Sequence, residues 1–235
     1  EGLNICGDQY PYPRSQSSII GAIFPRWSLS GGREGTLKIM ADEDLRGDLI
    51  DGINENIAKG RTPEGLMIGR YSYDESLEGK NIAEIADSMG TTPAEAVLRI
   101  YQEGEAMVVM QSMDEKDVDT FAAHPLIAVA SDGSSMSTEG VLSVGKPHPR
   151  SYGTNPTYIE HFVNKKKLVT LQEGIRKMTS LPAERLGLTN RGRLAPGYAA
   201  DIVIMEAENV KANATFTDPH QYPSGITHVI VNGEI

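Results

Sequence analysis

With 235 residues, the chain is long enough for one large domain, or for one domain with a small appendage. Its net charge of −10 argues against nucleic acid as a partner, because a phosphate backbone attracts a basic surface. No apolar run approaches the roughly 20 residues that a membrane-spanning helix needs. The single cysteine, Cys6, excludes an internal disulfide framework. We therefore expect no nucleic-acid partner, no membrane partner and a reducing, cytoplasmic location.

Both ends of the sequence are typical of a fragment. The chain starts at Glu1 without a methionine, and an apolar strand end follows within a few residues. It stops in residues 228–235, which are typical of a strand, a turn and the start of another strand. We expect a longer protein whose amino terminus, and any signal peptide, precede this sequence.

In chain order, the first predicted element is a short strand over residues 4–8, on which Cys6 would be a small buried residue. The prolines of Tyr10-Pro-Tyr-Pro13 then force an extended exit from the sheet. Residues 14–79 are predicted to be irregular except for a helix over 42–58. Insertions of this length are typical of lids or binding loops.

Regular structure is predicted to resume after residue 80. Thr92-Pro-Ala-Glu95 is a predicted capping box that opens a helix to about residue 102. Alternating strands and helices favour βα units in a parallel sheet or barrel. The last two strands favour a small separate β element. The predicted strands cover residues 106–110, 126–130, 201–205 and 227–232, and the other predicted helices cover 81–89, 114–123, 158–167, 171–178 and 182–186.

Asp132 follows the apolar strand predicted over residues 126–130. Polar residues at the carboxyl ends of barrel strands form active sites, and a carboxylate there can ligate a metal or exchange a proton. The alternative is that Asp132 and Gly133 simply make a turn.

Arg150 lies beside Pro147 and Pro149, which stiffen its loop. An arginine fork offers two parallel hydrogen bonds to a substrate carboxylate, and the alternative is an ordinary surface arginine. Tyr10 and Tyr12 end the first strand, where their hydroxyls can bind substrate or their rings can pack. None of the five histidines has the spacing of a metal site.

Several segments in order carry a resemblance to a known family. They are Asp8-Gln-Tyr-Pro-Tyr12, Ser131-Asp-Gly133, Gly145-Lys-Pro-His-Pro-Arg-Ser-Tyr-Gly153, Gly192-Arg-Leu-Ala-Pro-Gly-Tyr-Ala-Ala-Asp201 and Asp218-Pro-His-Gln-Tyr-Pro223. Together they resemble the D-aminoacylases, the N-acyl-D-amino-acid deacylases of the amidohydrolase superfamily. The Gly-x-Leu-x-x-Gly-x-x-Ala-Asp run is shared across that superfamily, whereas the His-Pro-Arg run after Ser-Asp-Gly is much narrower.

The resemblance implies an α/β fold, namely the C-terminal part of a metal-dependent (β/α)8 barrel plus strands of a small β-sandwich domain. Residues 1–190 would belong to the barrel, with 14–79 as a lid-like insertion. Residues 191–235 would supply strands of the sandwich.

The resemblance also assigns roles. Asp132 would sit at a zinc centre, take a proton from the bound water and pass it to the leaving amine. Arg150 would bind the α-carboxylate of the N-acyl-D-amino acid, and Tyr10 would line the site. Met113 ends a stretch where relatives often carry an aromatic substrate contact, so it is expected to touch substrate.

The family's other metal ligands lie upstream of Glu1, and Cys6 does not match the ligand cysteine. The missing N-terminal half of the same protein is therefore an expected partner, and the isolated chain is expected to be inactive. Two alternatives remain open: a cyclic-amide hydrolase like the hydantoinases or dihydroorotases, and an inactive module that only binds substrate.

Overall fold

The structure, a computed structural model, describes residues 2–3, 5–59 and 62–235. The predicted strand over 4–8 and the predicted insertion over 14–79 include Asn4, Gly60 and Arg61, which lie outside this description. The strands are β1 (Gly7–Gln9), β2 (Arg14–Ser18), β3 (Leu66–Arg70), β4 (Met107–Gln111), β5 (Ile127–Val129), β6 (Ile202–Met205) and β7 (Ile226–Ile230). The helices are α1 (Ile19–Ile23), α2 (Gly32–Ala41), α3 (Glu43–Ala58), α4 (Ile82–Met89), α5 (Pro93–Glu103), α6 (Glu115–Ala123), α7 (Arg150–Thr157), a π-helix (Tyr158–Lys165), α8 (Leu171–Met178) and α9 (Ser180–Arg185). No helix within the described ranges is long and apolar enough to cross a membrane.

The chain divides into two compact units. Unit A consists of Glu1–Pro13, Met113–Ser143 and Pro149–Ile235, and unit B consists of Arg14–Ser112 and Val144–His148. The boundaries predicted from the sequence, 1–190 with an insertion over 14–79 and then 191–235, stay a prediction.

Unit B is built on a sheet in which β4 lies between β2 and β3 and is antiparallel to both. Val108 of β4 faces Ser17 on one side and Ile68 on the other. The expectation that this strand belongs to a parallel βα array was therefore wrong. An apolar strand shows only that both faces are covered, and it does not indicate the direction of its neighbours.

Amphipathic helices cover this sheet. Leu49, Ile53 and Ile57 of α3 recur at helical spacing and are buried in the larger apolar core. The irregular structure expected on both sides of residues 42–58 was wrong, because β2, α1 and α2 precede α3 and β3 follows it. Gly32 and Gly35 disfavour the helix α2 locally. Tertiary hydrogen bonds from Arg33 to the carbonyls of Tyr101 and Gln102 hold its first turn.

The capping pattern differs in detail from the expected one. Thr92 accepts the backbone N–H of Glu95 as predicted, but the Glu95 carboxylate pairs with Arg46 instead of closing the box. The reciprocal box lies one helix earlier, where Asn81 and Glu84 exchange both bonds at the start of α4.

Unit A contains two strand pairs. β1 and β5 run parallel, with Gly7 opposite Ile127 and Gln9 opposite Val129. β6 and β7 run antiparallel at the carboxyl end of the chain. Cys6 precedes β1 and is exposed, so the expectation of a buried strand residue was wrong.

The helices of unit A pack around a second apolar cluster. Val118 and Ala122 of α6 meet Tyr158 and Phe162 of the π-helix in this cluster. The helix predicted from residue 158 is longer than expected, because α7 already begins at Arg150 and runs into the π-helix without a break. One continuous helical segment therefore leads from Arg150 into the core.

Lys177 of α8 is fully buried and supports the end of α6. Its Nζ donates to the carbonyls of Ala122 and His124 and lies 5.8 Å from the centroid of the Tyr158 ring. A cation satisfies the last carbonyls of a helix and favours the negative end of its dipole. Burial nevertheless lowers the pKa of Lys177 to about 8.

This burial predicts an unusual pH dependence of stability. Between pH 8 and the ordinary lysine pKa, the unfolded state binds more protons at Lys177 than the folded state does. The free energy of unfolding should therefore rise over this range, by on the order of 1–3 kcal/mol. Burial also raises the pKa values of Tyr12 and Tyr158 to about 12, so this gain should reverse as the pH rises above the ordinary tyrosine pKa of about 10.

Urea unfolding at pH 7.5 and 9.5 measures the change. The Lys177→Met variant retains an apolar stem without the titrating group, and its unfolding free energy should lack this rise. An equal rise in both proteins would show that Lys177 is not its source.

Candidate active site at the end of the parallel strand pair

The parallel pair β1 and β5 delivers two chain segments to one edge. The backbone N–H of Ala130 still donates to the carbonyl of Gln9, at 3.0 Å, just beyond the strands. Tyr10 follows β1 directly, and Asp132 follows β5 within three residues. Because the carboxyl ends of parallel strands face the same way, side chains from both segments can meet there.

Asp132 takes up a constrained position in this loop. Its φ of 46° is in the left-handed region, which aspartate tolerates better than most residues. Its side chain is 66% exposed, so the carboxylate is open to solvent. The sequence left a simple turn and a functional role as alternatives for Asp132. The two are compatible, because Asp132 makes the turn and also presents its carboxylate to solvent.

Arg150 brings a guanidinium to the same point. It is the first residue of α7, after Pro149, and its side chain is only 10% exposed. Its Nη2 lies 2.8 Å from Oδ2 of Asp132. Its Cζ lies 4.8 Å from the centroid of the Tyr10 ring, within the range of a cation–π contact. The structure thus brings together three of the predicted site residues.

The loop reaches Arg150 through a close backbone approach. A Cβ on Gly133 would lie 3.0 Å from Cα of Ser151 and 3.1 Å from the carbonyl oxygen of Arg150. The backbone N–H of Ser134 also donates to Oγ of Ser151, at 3.2 Å. Glycine at position 133 therefore lets the Asp132 loop lie against the start of α7.

Met113 lies elsewhere in unit A. It packs, partly buried, against the second apolar cluster formed by Val118, Ala122, Tyr158 and Phe162. Its backbone N–H donates to the carbonyl of Pro13 at 3.0 Å. The predicted substrate contact of Met113 stays a prediction.

The described residues contain no group of three or more His, Cys, Asp or Glu side chains that could hold a metal ion. A catalytic zinc site takes three protein ligands and leaves a further position open. Asp132 can supply one carboxylate, so the described part of the chain does not fit a complete zinc centre by itself. Two of the histidines have other partners: His148 is buried and contacts the carbonyl of Arg14, and His220 contacts Tyr152.

Two polar residues near the site were not predicted as site residues. Tyr152 lies on the first turn of α7, and His220 lies in the late Asp218-Pro-His-Gln-Tyr-Pro223 run. That run carried the family resemblance, but a lone histidine without metal spacing gave no role. Only the fold brings the two side chains together, with 2.6 Å between the Tyr152 hydroxyl and Nδ1 of His220.

Comparison with known proteins identifies the relatives of this chain. The sequence profile of the Amidohydrolase family matches residues 36–235. N-acyl-D-aspartate deacylase of Alcaligenes xylosoxydans xylosoxydans is 36% identical over 168 residues, which cover 72% of this chain and 32% of that protein. D-aminoacylase of the same organism is 34% identical over 157 residues, which cover 67% of this chain and 30% of that protein. The chain therefore spans about a third of the length of these relatives.

Solved structures of N-acyl-D-amino-acid deacylases also match this chain. N-acyl-D-glutamate deacylase from Bordetella bronchiseptica, complexed with zinc and a phosphonate inhibitor, matches with a TM-score of 0.73 and 27% identity. A crystal structure of D-aminoacylase matches with a TM-score of 0.71 and 26% identity. Each match covers 99% of this chain and 40% of the solved one.

Proposed function

The chain belongs to the amidohydrolase family, and we propose that it is the C-terminal part of an enzyme that hydrolyses N-acyl-D-amino acids to a carboxylate and a free D-amino acid. Its α/β fold and its relatives make it a hydrolase of this family. The observation that carries the proposal is the contact between Asp132 and Arg150 at the carboxyl end of the β1–β5 pair. A proton-exchanging carboxylate and a carboxylate-binding cation meet there.

Arg150 binds the α-carboxylate of the substrate in this proposal. Its guanidinium is mostly buried, sits over the Tyr10 ring and begins a helix, so its position is set before substrate arrives. An arginine fork carries five N–H donors, and a carboxylate can accept two of them in parallel. The bound substrate would then extend from Arg150 toward Asp132.

Asp132 exchanges the proton. Its exposed carboxylate can accept a proton from the attacking water and return it to the nitrogen of the leaving amine. The Arg150 guanidinium, 2.8 Å away, orients the carboxylate before the proton arrives. Water attack and departure of the amine then need only one proton carrier.

Zinc is the proposed cofactor of the whole enzyme, as in the complex of the Bordetella bronchiseptica relative. Asp132 would be one ligand, and the others would come from sequence upstream of this chain. Bound zinc would act as a Lewis acid toward the amide carbonyl. The isolated chain should therefore contain no stoichiometric zinc, whereas the longer protein should.

The proposed architecture also depends on that upstream sequence. Residues 1–190 would complete a (β/α)8 barrel, with 14–79 as an insertion, and residues 191–235 would join a small β-sandwich. The β6–β7 sheet supports this, since the opposed residues Val203 and Val229 are each 53% exposed. A face of β-branched residues is usually covered by another layer.

The experiment that tests the function compares amide substrates in the longer protein. Linear N-acetyl-D-amino acids should be hydrolysed, and cyclic ureides without a carboxylate, such as hydantoins, should not, because Arg150 offers a site for a free α-carboxylate. A preference for cyclic ureides would place the enzyme with the cyclic-amide hydrolases instead. Carboxylate binding without hydrolysis of any amide would make it a binding module.

The Gly133→Ala variant tests the geometry of the site. The added Cβ would press on Ser151 and on the carbonyl of Arg150, and the Asp132 loop must move outward to relieve the contact. We expect kcat/KM to fall about tenfold, because small misplacements of catalytic groups are costly. Gly47→Ala is the matched control, since its Cβ would enter open space on a helix and should leave kcat/KM unchanged. Equal kcat/KM for Gly133→Ala and the wild type would contradict the close approach.

A further inference from the structure

The loop that joins Asp132 to Arg150 is held on one side by polar contacts. We call residues 134–143 the loop segment; it follows Asp132 and Gly133 and precedes α7. Val141 and Leu142 at its tip are 91% and 50% exposed, so apolar burial does not anchor the tip. The position of the loop segment therefore depends on hydrogen bonds.

Tyr152 makes the central one of these contacts. Its hydroxyl lies 2.8 Å from the carbonyl oxygen of Ser137 and 2.6 Å from Nδ1 of His220. The Tyr152 ring also meets the His220 ring edge-on, with centroids 5.6 Å apart. Burial raises the pKa of the Tyr152 hydroxyl, so it keeps its proton over the physiological range.

The single hydroxyl proton of Tyr152 determines whether Nδ1 of His220 carries hydrogen. A carbonyl oxygen can only accept, so the Tyr152 hydroxyl must donate its proton to Ser137. The contact with His220 then requires a proton on Nδ1, which donates to the hydroxyl oxygen. The geometry thus selects the tautomer, or the cation, that carries hydrogen on Nδ1.

Tyr222 adds a second contact from the same stretch of chain. Hydrogen bonds with Ser137 and Thr138 hold the pKa of the Tyr222 hydroxyl below its usual range. The Tyr222 ring lies edge-on to Tyr152 with centroids 6.2 Å apart. The late segment that contains His220 and Tyr222 therefore holds the loop segment at Ser137 and Thr138.

We infer that His220 is a positioning residue, which orients the Tyr152 hydroxyl and so holds the loop segment that follows Asp132 and Gly133. We call the Ser137–Tyr152–His220 contact the clamp. Arg150 is anchored by its helix, whereas Asp132 lies on the exposed loop. Release of the clamp should therefore displace Asp132 and leave Arg150 in place. The inference about catalysis rests on the proposed function, while the clamp itself does not.

The first test uses no activity measurement. In the ¹⁵N spectrum, the histidine assigned to His220 should carry hydrogen on Nδ1, and the Tyr152→Phe variant should lose this preference. Amide hydrogen exchange over residues 137–142 should accelerate at least about tenfold in the variant, because one hydrogen bond contributes roughly that factor. Tyr73→Phe removes an exposed hydroxyl in unit B and should change neither measurement. An unchanged tautomer together with unchanged exchange in Tyr152→Phe would overturn the clamp.

The second test separates positioning from stability in the longer enzyme. His220→Ala should lower kcat about tenfold and change KM less than about twofold, since Asp132 moves and Arg150 does not. His220→Asn should retain most of the wild-type kcat, because the side-chain N–H of asparagine can occupy the position of the histidine Nδ1–H. His220→Gln places that group one carbon further out and should rescue less. A purely structural role would lower the melting temperature of His220→Ala and leave kcat per folded molecule unchanged.

The double variant Tyr152→Phe/His220→Ala completes the test. If His220 acts only through Tyr152, the double variant should lose no more kcat than either single variant. Additive losses of kcat would show that His220 does not act through Tyr152. If the wild type hydrolyses no N-acyl-D-amino acid, the proposed function fails, and the tautomer and exchange measurements still decide whether the clamp exists.

Discussion

Replacing Asp132 by asparagine in the longer enzyme is expected to lower kcat by about 10³-fold or more and to leave the fold intact. The side chain loses the oxygen that accepts and returns the proton, while its size and its contact with Arg150 change little. Asparagine also tolerates the left-handed backbone, which Asp132 adopts with a φ of 46°. Alanine at this position would add backbone strain, so asparagine is the cleaner substitution.

Asp117→Asn provides the matched control for this variant. Asp117 is an exposed residue on α6 in the same unit, and its substitution should leave kcat unchanged. Steady-state kinetics with an N-acetyl-D-amino acid, together with thermal unfolding of each variant, measure both effects. Near wild-type turnover by Asp132→Asn would remove Asp132 from the chemistry.

Arg150→Ala is expected to act on both binding and turnover. KM for substrates with an α-carboxylate should rise about 10²-fold, because a buried, charge-assisted hydrogen-bond site is lost. The contact between Arg150 and Asp132 adds a second effect that the sequence did not suggest. Without its partner, Asp132 is oriented less well, so kcat should fall as well.

An N-acyl amine that lacks the carboxylate separates the two effects. The wild type should discriminate strongly against it in kcat/KM, and Arg150→Ala should discriminate little. Arg150→Lys keeps the charge without the fork and should recover only part of the discrimination. Arg99→Ala removes an exposed arginine of unit B as a control. Discrimination that persists undiminished in Arg150→Ala would show that another group binds the carboxylate.

The strand that leads to Asp132 followed from its sequence pattern. An apolar run ending in Ser131-Asp-Gly133 predicts a strand with a polar residue beyond its end, and β5 matches this description. The pairing of β1 with β5 connects residues more than 100 positions apart, and no periodicity reports it. The family resemblance, rather than periodicity, placed Tyr10, Asp132 and Arg150 in one site.

The helix that carries Arg150 shows why some features were missed. Gly153 and Pro156 lie inside α7, and both residues disfavour helices in isolation. Four residues of α7, Gly153, Thr154, Pro156 and Thr157, are buried, and the helix continues into the π-helix. Tertiary packing therefore overrides the local preference, and single-segment reasoning predicts a loop there.

The antiparallel pairing of β4 and the clamp were missed for a related reason. Both depend on partners distant in sequence: β2 and β3 for the strand, and His220 for the Tyr152 hydroxyl. A sequence pattern indicates that a residue is buried or polar. It does not indicate which distant residue lies beside it.

The most direct test of the proposed function is the stereospecific release of amino acid by the protein that includes the sequence upstream of Glu1. N-acetyl-D- and N-acetyl-L-amino acids would be supplied in pairs, and the free amino acid would be measured for the wild type and for Asp132→Asn. We expect release from the D substrates alone, by the wild type alone. Absence of release from every D substrate, or equal release by Asp132→Asn, would contradict the assignment of this chain to the active site of an N-acyl-D-amino-acid deacylase.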